Sequence, residues 1–399
     1  MESVEERVKK ALKKPAEYGI DIDLSSFSPA PTNLKDLKGI EELPSRERKY
    51  MEEVGFAGDF KAGGFLQIDQ KAVFKKFGFN GLEIKSISEF SEEEKERYLW
   101  KLIDPATDKY TATVYFMPPE GYFIKSKKGA MIDTPFQSCL FLRSHGAIQA
   151  PHNVVIAEEN SRIYVVTGCT VMPEKVGVHI GVTEMYVKRG AFLGFVMIHN
   201  WRNAVHVRPR TVVYVEEGGT FVSHYIITSP VPSLQALPKV YLKGEGARAY
   251  LSNVAITSSG DLDFGTEAFL EAENTSVEIV SKIFAAGKSK IVARGYIVSK
   301  AVNTKGHVEC RALLKGGEAV VQAVPSLKSY GEGAELTHEA ALGKIAEDEV
   351  NYLVAKGLSR EEAISTLVRG FLRVEAKGVP SRLEDEIRNT IERSATSLL

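Results

Sequence analysis

Cysteine is scarce in this sequence: 399 residues contain only Cys139, Cys169 and Cys310. Because the three are odd in number and far apart, they do not read as a disulfide framework. Such usage suits a reducing cytosol, where thiols stay free. Each cysteine is therefore a small buried residue or a candidate for thiol chemistry.

The chain also lacks an excess of charge and any long apolar run. Lys and Arg number 51, Asp and Glu number 52, and the net charge is -1. This balance predicts no general attraction to nucleic acid or to an anionic membrane. No stretch of 18 apolar residues predicts a membrane span, and the charged start Met1–Arg7 does not resemble a signal peptide. We expect a cytoplasmic protein.

A phosphate-binding loop is missing as well. Gly287-Lys288-Ser289 imitates the end of such a loop, but Lys282 stands where the earlier glycine is needed, and Ile291–Ala293 looks like strand. A phosphate cradle needs a glycine-rich turn that leads into a helix. The sequence therefore predicts a non-enzymatic protein that does not hydrolyse ATP itself.

Three regions follow from the pattern of apolar residues: a mostly helical region over 1–108, a β region over 109–330 and a helical region over 331–399. Runs rich in Val, Ile, Tyr, Phe and Thr, such as Thr111–Met117, fill the middle region. Its turns are spaced 30, 28, 26 and 30 residues apart, at Asn160, Gly190, Gly218, Gly244 and Asn274. This period favours stacked coils of a β-solenoid, with an antiparallel β-sandwich as the alternative.

Helix signals return in the last region. Capping-box spacings begin at Ser359 and Ser381, as one does earlier at Ser91, and Gly357 is placed to end a helix. The segment around His338 is predicted to lie between a glycine turn and a helix. The apolar faces of the terminal helices are expected either to pack on the β region or to bind a partner.

Two short segments near the end carry metal-binding residue types: Gly306–Cys310 and Ala334–Ala341. Thiolate, imidazole and carboxylate are ligands of iron, zinc and iron–sulfur clusters. If Gly306–Cys310 is a strand, His307 and Cys310 point to opposite faces and do not share one ion. Purely structural roles for Cys310, Cys169, His338 and Glu339 remain open at this point.

Together these segments resemble the SufB/SufD family, the scaffold proteins of the SUF iron–sulfur cluster assembly system. The similarity covers most of the chain and is strongest from Gly306 to about Phe371, where Glu335–Ile345 and Gly357–Ala363 match closely. It is closest to the short SufB-like forms of archaea and some thermophilic bacteria. The resemblance implies a right-handed parallel β-helix between helical ends, a dimer with itself or a paralogue, and an ABC-type ATPase, SufC, bound to the C-terminal helices.

The resemblance also implies site residues. Cys310 matches the cluster and sulfur site, His338 and Glu339 match a further pair of site residues, and Cys169 matches the cysteine that receives sulfur. Asn200-Trp201 matches a segment on the proposed sulfur route, although His199 replaces the usual glutamine. Two departures are Arg311, where aspartate is common, and the absence of a lysine near Val207–Arg210.

The expected function is a scaffold that builds a transient cluster, of the 4Fe–4S type, at a dimer interface. Sulfur enters at Cys169 and passes to Cys310, a reduced flavin is a further expected cofactor, and a sulfur donor and apo-protein acceptors are the other partners. One alternative is a SufD-like passive partner of a separate scaffold. Another is a polysaccharide-cleaving β-helix, which the lack of carboxylate pairs at coil spacing disfavours.

Overall fold

The computed structural model describes residues 2–58, 60–78, 81–202, 204–373 and 377–397. The helices are α1 Val4–Ala11, α2 Ser45–Glu52, α3 Glu92–Tyr98, α4 Lys109–Phe116, α5 Glu347–Ala355, α6 Arg360–Leu372 and α7 Ser381–Ser397. The strands before the middle of the chain are β1 Ser28–Pro29, β2 Gly63–Ile68, β3 Lys71–Phe77, β4 Leu82–Ser86, β5 Tyr122–Ser126, β6 Phe136–Leu142, β7 Ala147–Gln149, β8 His152–Ala157, β9 Arg162–Val171, β10 Gly177–His179, β11 Val182–Val187 and β12 Phe192–Asn200. The later strands are β13 Val205–Val207, β14 Arg210–Val215, β15 Thr220–Ile227, β16 Ser233–Ala236, β17 Lys239–Leu242, β18 Arg248–Thr257, β19 Asp261–Leu270, β20 Ser276–Ala286, β21 Lys290–Ser299, β22 Lys305–Lys315, β23 Val320–Ser329 and β24 Glu335–Lys344.

Most of these strands stack as parallel coils. The coil formed by β7, β8 and β9 pairs strand by strand with β10, β11 and β12 of the next coil, and the last coil consists of β23 and β24 alone. Antiparallel pairs join β2 to β3 and β4 to β5. The predicted β-solenoid between helical ends is confirmed, and the antiparallel sandwich is excluded.

Each coil encloses its apolar residues because successive side chains of a strand point to opposite faces. On β22, Val308, Cys310 and Ala312 are buried in the core between the two sheets, whereas Arg311 on the other face is exposed. The outer face of the second sheet (β24-β22-β20-β18-β15-β12-β9-β6-β2-β3) carries a separate apolar cluster, to which Val368 of α6 and Ile387 of α7 belong. The apolar faces of α6 and α7 thus pack on the β region.

Two predicted elements are wrong. Thr111–Met117 is not a strand but lies largely in helix α4, because the Asp108 carboxylate accepts the N–H groups of Tyr110 and Thr111 and so caps the helix. The segment around His338 is strand β24 and not the start of a helix, and the C-terminal helices begin only at Glu347. Pairing with β22 outweighs the first-turn appearance of its acidic residues.

The N-terminal region is also more mixed than expected, since β2, β3 and β4 lie within residues 1–108. The capping boxes at Ser91 and Ser359 are present, and Gly357 has a φ of 100° just past α5, as predicted. Ser381 is not a cap, because the Glu384 N–H donates to the Pro380 carbonyl. Among the described helices, none combines the length and apolarity needed to cross a membrane.

Candidate functional site

Cys310 lies near the C-terminal end of the solenoid and faces its interior. Its register partners are Ser281 on β20 and Ala340 on β24, and 6% of its surface is exposed. Burial, with the neighbouring Glu309 carboxylate, raises the pKa of the thiol to about 11. The space beside it measures about 10 Å³, the lower limit for one water molecule. The thiol is therefore protonated at neutral pH, and the space beside it is too small for a large ligand.

His338 and Glu339 lie on β24, the strand that follows β22 in the sheet. By strand alternation His338 shares the interior-facing side with Cys310, whereas Glu339 shares the opposite side with Glu309 and Arg311. Arg311 contacts Glu309 at 2.5 Å and Glu339 at 3.6 Å. His338 and Glu339 are both exposed. The structure therefore brings Cys310 and His338 to one face but directs Glu339 away from it.

His307 does not converge with Cys310, as the sequence predicts for a strand. Its Nδ1 lies 2.8 Å from the Thr337 hydroxyl, on the outward side of β22. More generally, the described residues contain no cluster of three or more His, Cys, Asp or Glu side chains arranged to hold a metal ion. In the conformation of the described chain, the predicted ligands do not form a complete set.

Cys169 is a second interior thiol, on β9, and it is fully buried. Burial, with Cys139 nearby, raises the pKa of its thiol well above the ordinary value. Cys139 itself lies on the outer face of the same sheet, paired with Gly168. The sheet order β9-β12-β15-β18-β20-β22 separates Cys169 from Cys310 by five strand spacings, about 24 Å. The two thiols do not meet.

A row of interior side chains connects the surroundings of the two thiols, and the sequence reasoning missed it. The successive register partners, all on the face that Cys310 shares, are Ser138, Thr167, Met197, Tyr225, Asn253, Ser281 and Cys310. Six of the seven are polar or thiol side chains, which is unusual inside an apolar core. The sequence signal for it is a polar residue that recurs about one coil length before Cys310, but its exact positions follow only from the register of the coils.

The middle of this row borders an interior cavity of about 40 Å³. Tyr225 and Asn253 line it together with apolar side chains such as Met197 and Phe221. The Asn253 amide nitrogen has no hydrogen-bond partner although the residue is 3% exposed. Because an unpaired buried donor is costly, this amide indicates a place for a small polar species.

The Asn200-Trp201 segment divides between the two sides of the sheet. Trp201 is fully buried in the interior core, and its ring centroid lies 5.8 Å from that of His199. The Asn200 amide instead donates to the Glu53 carboxylate at 3.2 Å, towards α2. Of the three residues His199, Asn200 and Trp201, His199 and Trp201 face the interior that contains Cys169.

In the part of the chain that the structure describes, no strand pairs with the outer edge of the last coil. β24 is the terminal strand of one sheet and β23 the last strand of the other, and nearly every residue of β24 is exposed. Tyr330, just after β23, and Leu342, on β24, have exposed fractions of 75% and 45%. Unpaired strand edges with apolar side chains invite pairing with another chain. Cys310 and His338 thus lie on the last two coils of an open end.

The segment Gly287-Lys288-Ser289 is a turn between strands, as expected. It joins β20 to β21, and Gly287 has a φ of 55°. No helix N-terminus follows this turn, so it lacks the feature that binds phosphate in an ATPase.

The comparisons with known proteins agree on one family. A family described as "SUF system FeS cluster assembly, SufBD core domain" matches residues 140–371. A protein of Archaeoglobus fulgidus named iron-sulfur cluster assembly SufBD family protein is 40% identical, covering 88% of this chain and 96% of its own. Relatives with the same family name in Methanothermobacter thermautotrophicus and Pyrococcus horikoshii are 37% and 31% identical; each match covers 97% of this chain, and 97% and 86% of the relative.

The matched region contains nearly all of the solenoid, including Cys169, Cys310, His338 and Glu339. The similarity to the named relatives extends over most or all of the chain. The chain belongs to the SufBD family of iron–sulfur cluster assembly proteins.

Proposed function

We propose that this protein is the scaffold on which an iron–sulfur cluster is built, with Cys310 as its thiolate ligand, before transfer to apo-protein acceptors. The observation that carries the proposal is the position of Cys310 and His338 on the last two coils of an open solenoid end. An iron-binding thiol one strand away from an unpaired edge can have its ligand set completed by a second chain and can be exposed again for release.

The ligand set supports a transient cluster. A permanently bound 4Fe–4S cluster generally takes four thiolates, and this chain has three cysteines on three different strands. Cys310, His338 and Glu339 offer one sulfur, one nitrogen and one oxygen donor. Because Glu339 faces away from Cys310 in one chain, we propose that two chains together supply the ligands. Mixed ligation of this kind suits a cluster that must leave.

Dimerisation through β24 fits its backbone geometry. The N–H of Glu335 donates to the carbonyl of Thr304, just before β22. The N–H of Ile345, just after β24, donates to the carbonyl of Leu314 near the end of β22. Since successive N–H groups of a strand point to opposite sides, those of the even-numbered residues of β24 face the free edge. A second SufBD chain, identical or paralogous, pairs with these groups.

The sulfur route must span about 24 Å, so a direct exchange between Cys169 and Cys310 is excluded in this conformation. We propose that a persulfide on Cys169 is reduced by two electrons and one proton. Its S–S bond breaks, the thiol is restored, and hydrosulfide is released. A reduced flavin is the proposed electron source. The polar row and the cavity at Tyr225 and Asn253 offer a path for hydrosulfide to Cys310.

The C-terminal helices are the proposed binding region of a SufC-type ATPase. On α5, Tyr352 and Val354 have exposed fractions of 63% and 40%, while α6 and α7 are fixed to the solenoid. The segment between α6 and α7 is tied to β20, since Lys377 pairs with Glu278 at 2.9 Å. Movement of the ATPase would pull on β20, the neighbour of β22 in the sheet, and would open the space around Cys310.

One observation favours the alternative of a SufD-like supporting partner. The Cys310 thiol is buried and protonated, with a pKa of about 11. A passive partner only pairs with a separate scaffold and binds the ATPase. Such a protein does not need a reactive thiol at this position.

Anaerobic reconstitution with iron and sulfide distinguishes the two functions. Absorbance and Mössbauer spectra of the full chain are compared with those of Cys310→Ala, and Cys139→Ala is the matched control because Cys139 lies on the outer face. A labile cluster in the wild type and in Cys139→Ala, but not in Cys310→Ala, supports the scaffold. A wild type that forms no cluster supports the passive partner, and equal clusters in all three proteins contradict Cys310 as a ligand.

A further inference from the structure

His199 is the immediate neighbour of Cys169 inside the solenoid. The two are register partners on β12 and β9 and face the same interior core. Parallel neighbours of this kind lie about 4.8 Å apart. His199 is 1% exposed, and its Nδ1 lies 3.1 Å from the Tyr225 hydroxyl. Its ring is therefore held in one orientation beside the thiol.

Two ring nitrogens at the C-terminal end of β12 have no hydrogen-bond partner in the described structure. They are Nε2 of His199 and Nε1 of Trp201, both in buried residues. An unpaired buried polar group destabilises the folded chain, and such groups are rare in native proteins. The adjacent His179 does not relieve them, since its Nδ1 is 2.9 Å from the Gln149 amide oxygen. A small hydrogen-bonding species beside His199 and Trp201 would be a natural partner of both nitrogens.

The protonation of this cluster follows from its burial. The titratable groups that face His199 are Cys169, His179 and Tyr225. Burial lowers the pKa of His199 well below its ordinary value and raises that of Tyr225 well above its own. The imidazole is thus neutral and the phenol keeps its proton. When Tyr225 O–H donates to Nδ1, the single imidazole proton resides on Nε2.

We propose that His199, oriented by Tyr225, donates its Nε2–H to the terminal sulfur of a persulfide formed on Cys169, with Trp201 Nε1–H as a second donor. The inference rests on the proposed role of Cys169 as sulfur acceptor. It assigns a positioning and charge-stabilising role to His199.

The chemistry needs no external oxidant. The Cys169 thiolate attacks the outer sulfur of a persulfide or polysulfide donor, a new S–S bond forms on Cys169, and the donor's S–S bond breaks. The proton from Cys169 ends on the departing thiol or on the shortened polysulfide. The outer sulfur of the product carries negative charge when it ionises, and a buried anion requires hydrogen-bond donors. The two unpartnered N–H groups supply them.

The test measures the lifetime of the Cys169 persulfide. The full-length chain is treated anaerobically with inorganic polysulfide, the excess is removed, and the mass of the added sulfur on the Cys169 peptide is followed with time. His199→Leu removes the donor, His199→Gln keeps an N–H donor, and Tyr225→Phe frees the ring. His224→Leu is the matched control, a buried histidine on the outer face of the same sheet.

Loss of one hydrogen bond to an anion predicts a lifetime shortened roughly tenfold in His199→Leu. His199→Gln should restore most of it, Tyr225→Phe should be intermediate, and His224→Leu should match the wild type. Equal lifetimes in the wild type, His199→Leu and Tyr225→Phe would overturn the inference while leaving the sulfur-acceptor role intact. A wild-type chain that acquires no sulfur on Cys169 would instead overturn that role, and the inference with it. If His199→Leu does not fold, Tyr225→Phe against His224→Leu decides.

Discussion

At the scale of single residues, burial keeps histidines and thiols neutral both inside the solenoid, at His179 and Cys310, and on the outer face of the sheet, at His224. Burial lowers the pKa of His179 to about 3 and that of His224 to about 4. It acts in the opposite direction on the thiols, raising the pKa of Cys310 to about 11. Sulfur chemistry in such an interior depends on groups that stabilise charge only when it arrives, as proposed for His199.

These histidines predict acid-sensitive stability. In the unfolded chain a histidine has a pKa of about 6.5. Below that pH the unfolded state therefore binds protons at positions 179 and 224, whereas His179 and His224 stay unprotonated in the folded state. The free energy of unfolding should then fall by about 1.4 kcal/mol per pH unit for each histidine, until the folded pKa is reached. Urea unfolding from neutral to mildly acidic pH measures this slope.

His224→Gln should reduce that slope by the share of one histidine, and exposed His145→Gln is the matched control. An unchanged slope in His224→Gln would show that His224 is not buried as a neutral group in the folded protein.

At the scale of elements, what the sequence predicts depends on how local the determining contacts are. Capping boxes at Ser91 and Ser359 are set within four residues and were predicted correctly. The β-branched neighbours of Thr111 predict a strand. The segment is nevertheless a helix, because the Asp108 side chain caps its first turn.

The candidate site shows the same limit. Its residue types were visible in the sequence, but the opposite directions of Cys310 and Glu339 follow only from the pairing of β22 with β24. The polar row through Tyr225 and Asn253 likewise requires the register of successive coils. The coil period was predicted, but its register was not, because that register is fixed by packing between residues far apart in sequence.

Asp108→Ala tests the element-scale account. Asp108 caps α4 and also pairs with Arg210 at 2.7 Å, with 6% of its side chain exposed. Removing one partner of a buried ion pair should cost about 3–5 kcal/mol of unfolding free energy. Asp23→Ala, which removes the exposed cap of a short 3-10 turn, should cost about 1 kcal/mol or less. Similar urea midpoints for the two variants would contradict the assigned role of Asp108.

At the scale of the whole molecule, the two ends of the described solenoid differ in the direction of their last strands, antiparallel at one end and parallel at the other. The antiparallel strands β3 and β4 end the two sheets at the N-terminal side, and β23 and β24 end them at the C-terminal side. The proposed cluster site lies near the C-terminal end, where we also propose that a second chain pairs.

Ala340→Pro tests the open edge. The N–H of Ala340 faces away from β22, so proline removes an edge donor without removing a hydrogen bond of the coil. We expect analytical ultracentrifugation to show a dimer for the wild type and for Ala340→Val, and a monomer for Ala340→Pro. A dimer that persists in Ala340→Pro with unchanged affinity would place the interface elsewhere.

Native mass spectrometry of the anaerobically reconstituted chain tests the central claim most directly, because it reports cluster content and subunit number together. The account predicts that cluster mass appears on the dimer alone, one cluster per pair of chains, and disappears in Cys310→Ala. A cluster carried by the monomer, or one retained without the Cys310 thiol, would contradict a scaffold assembled between two open solenoid ends.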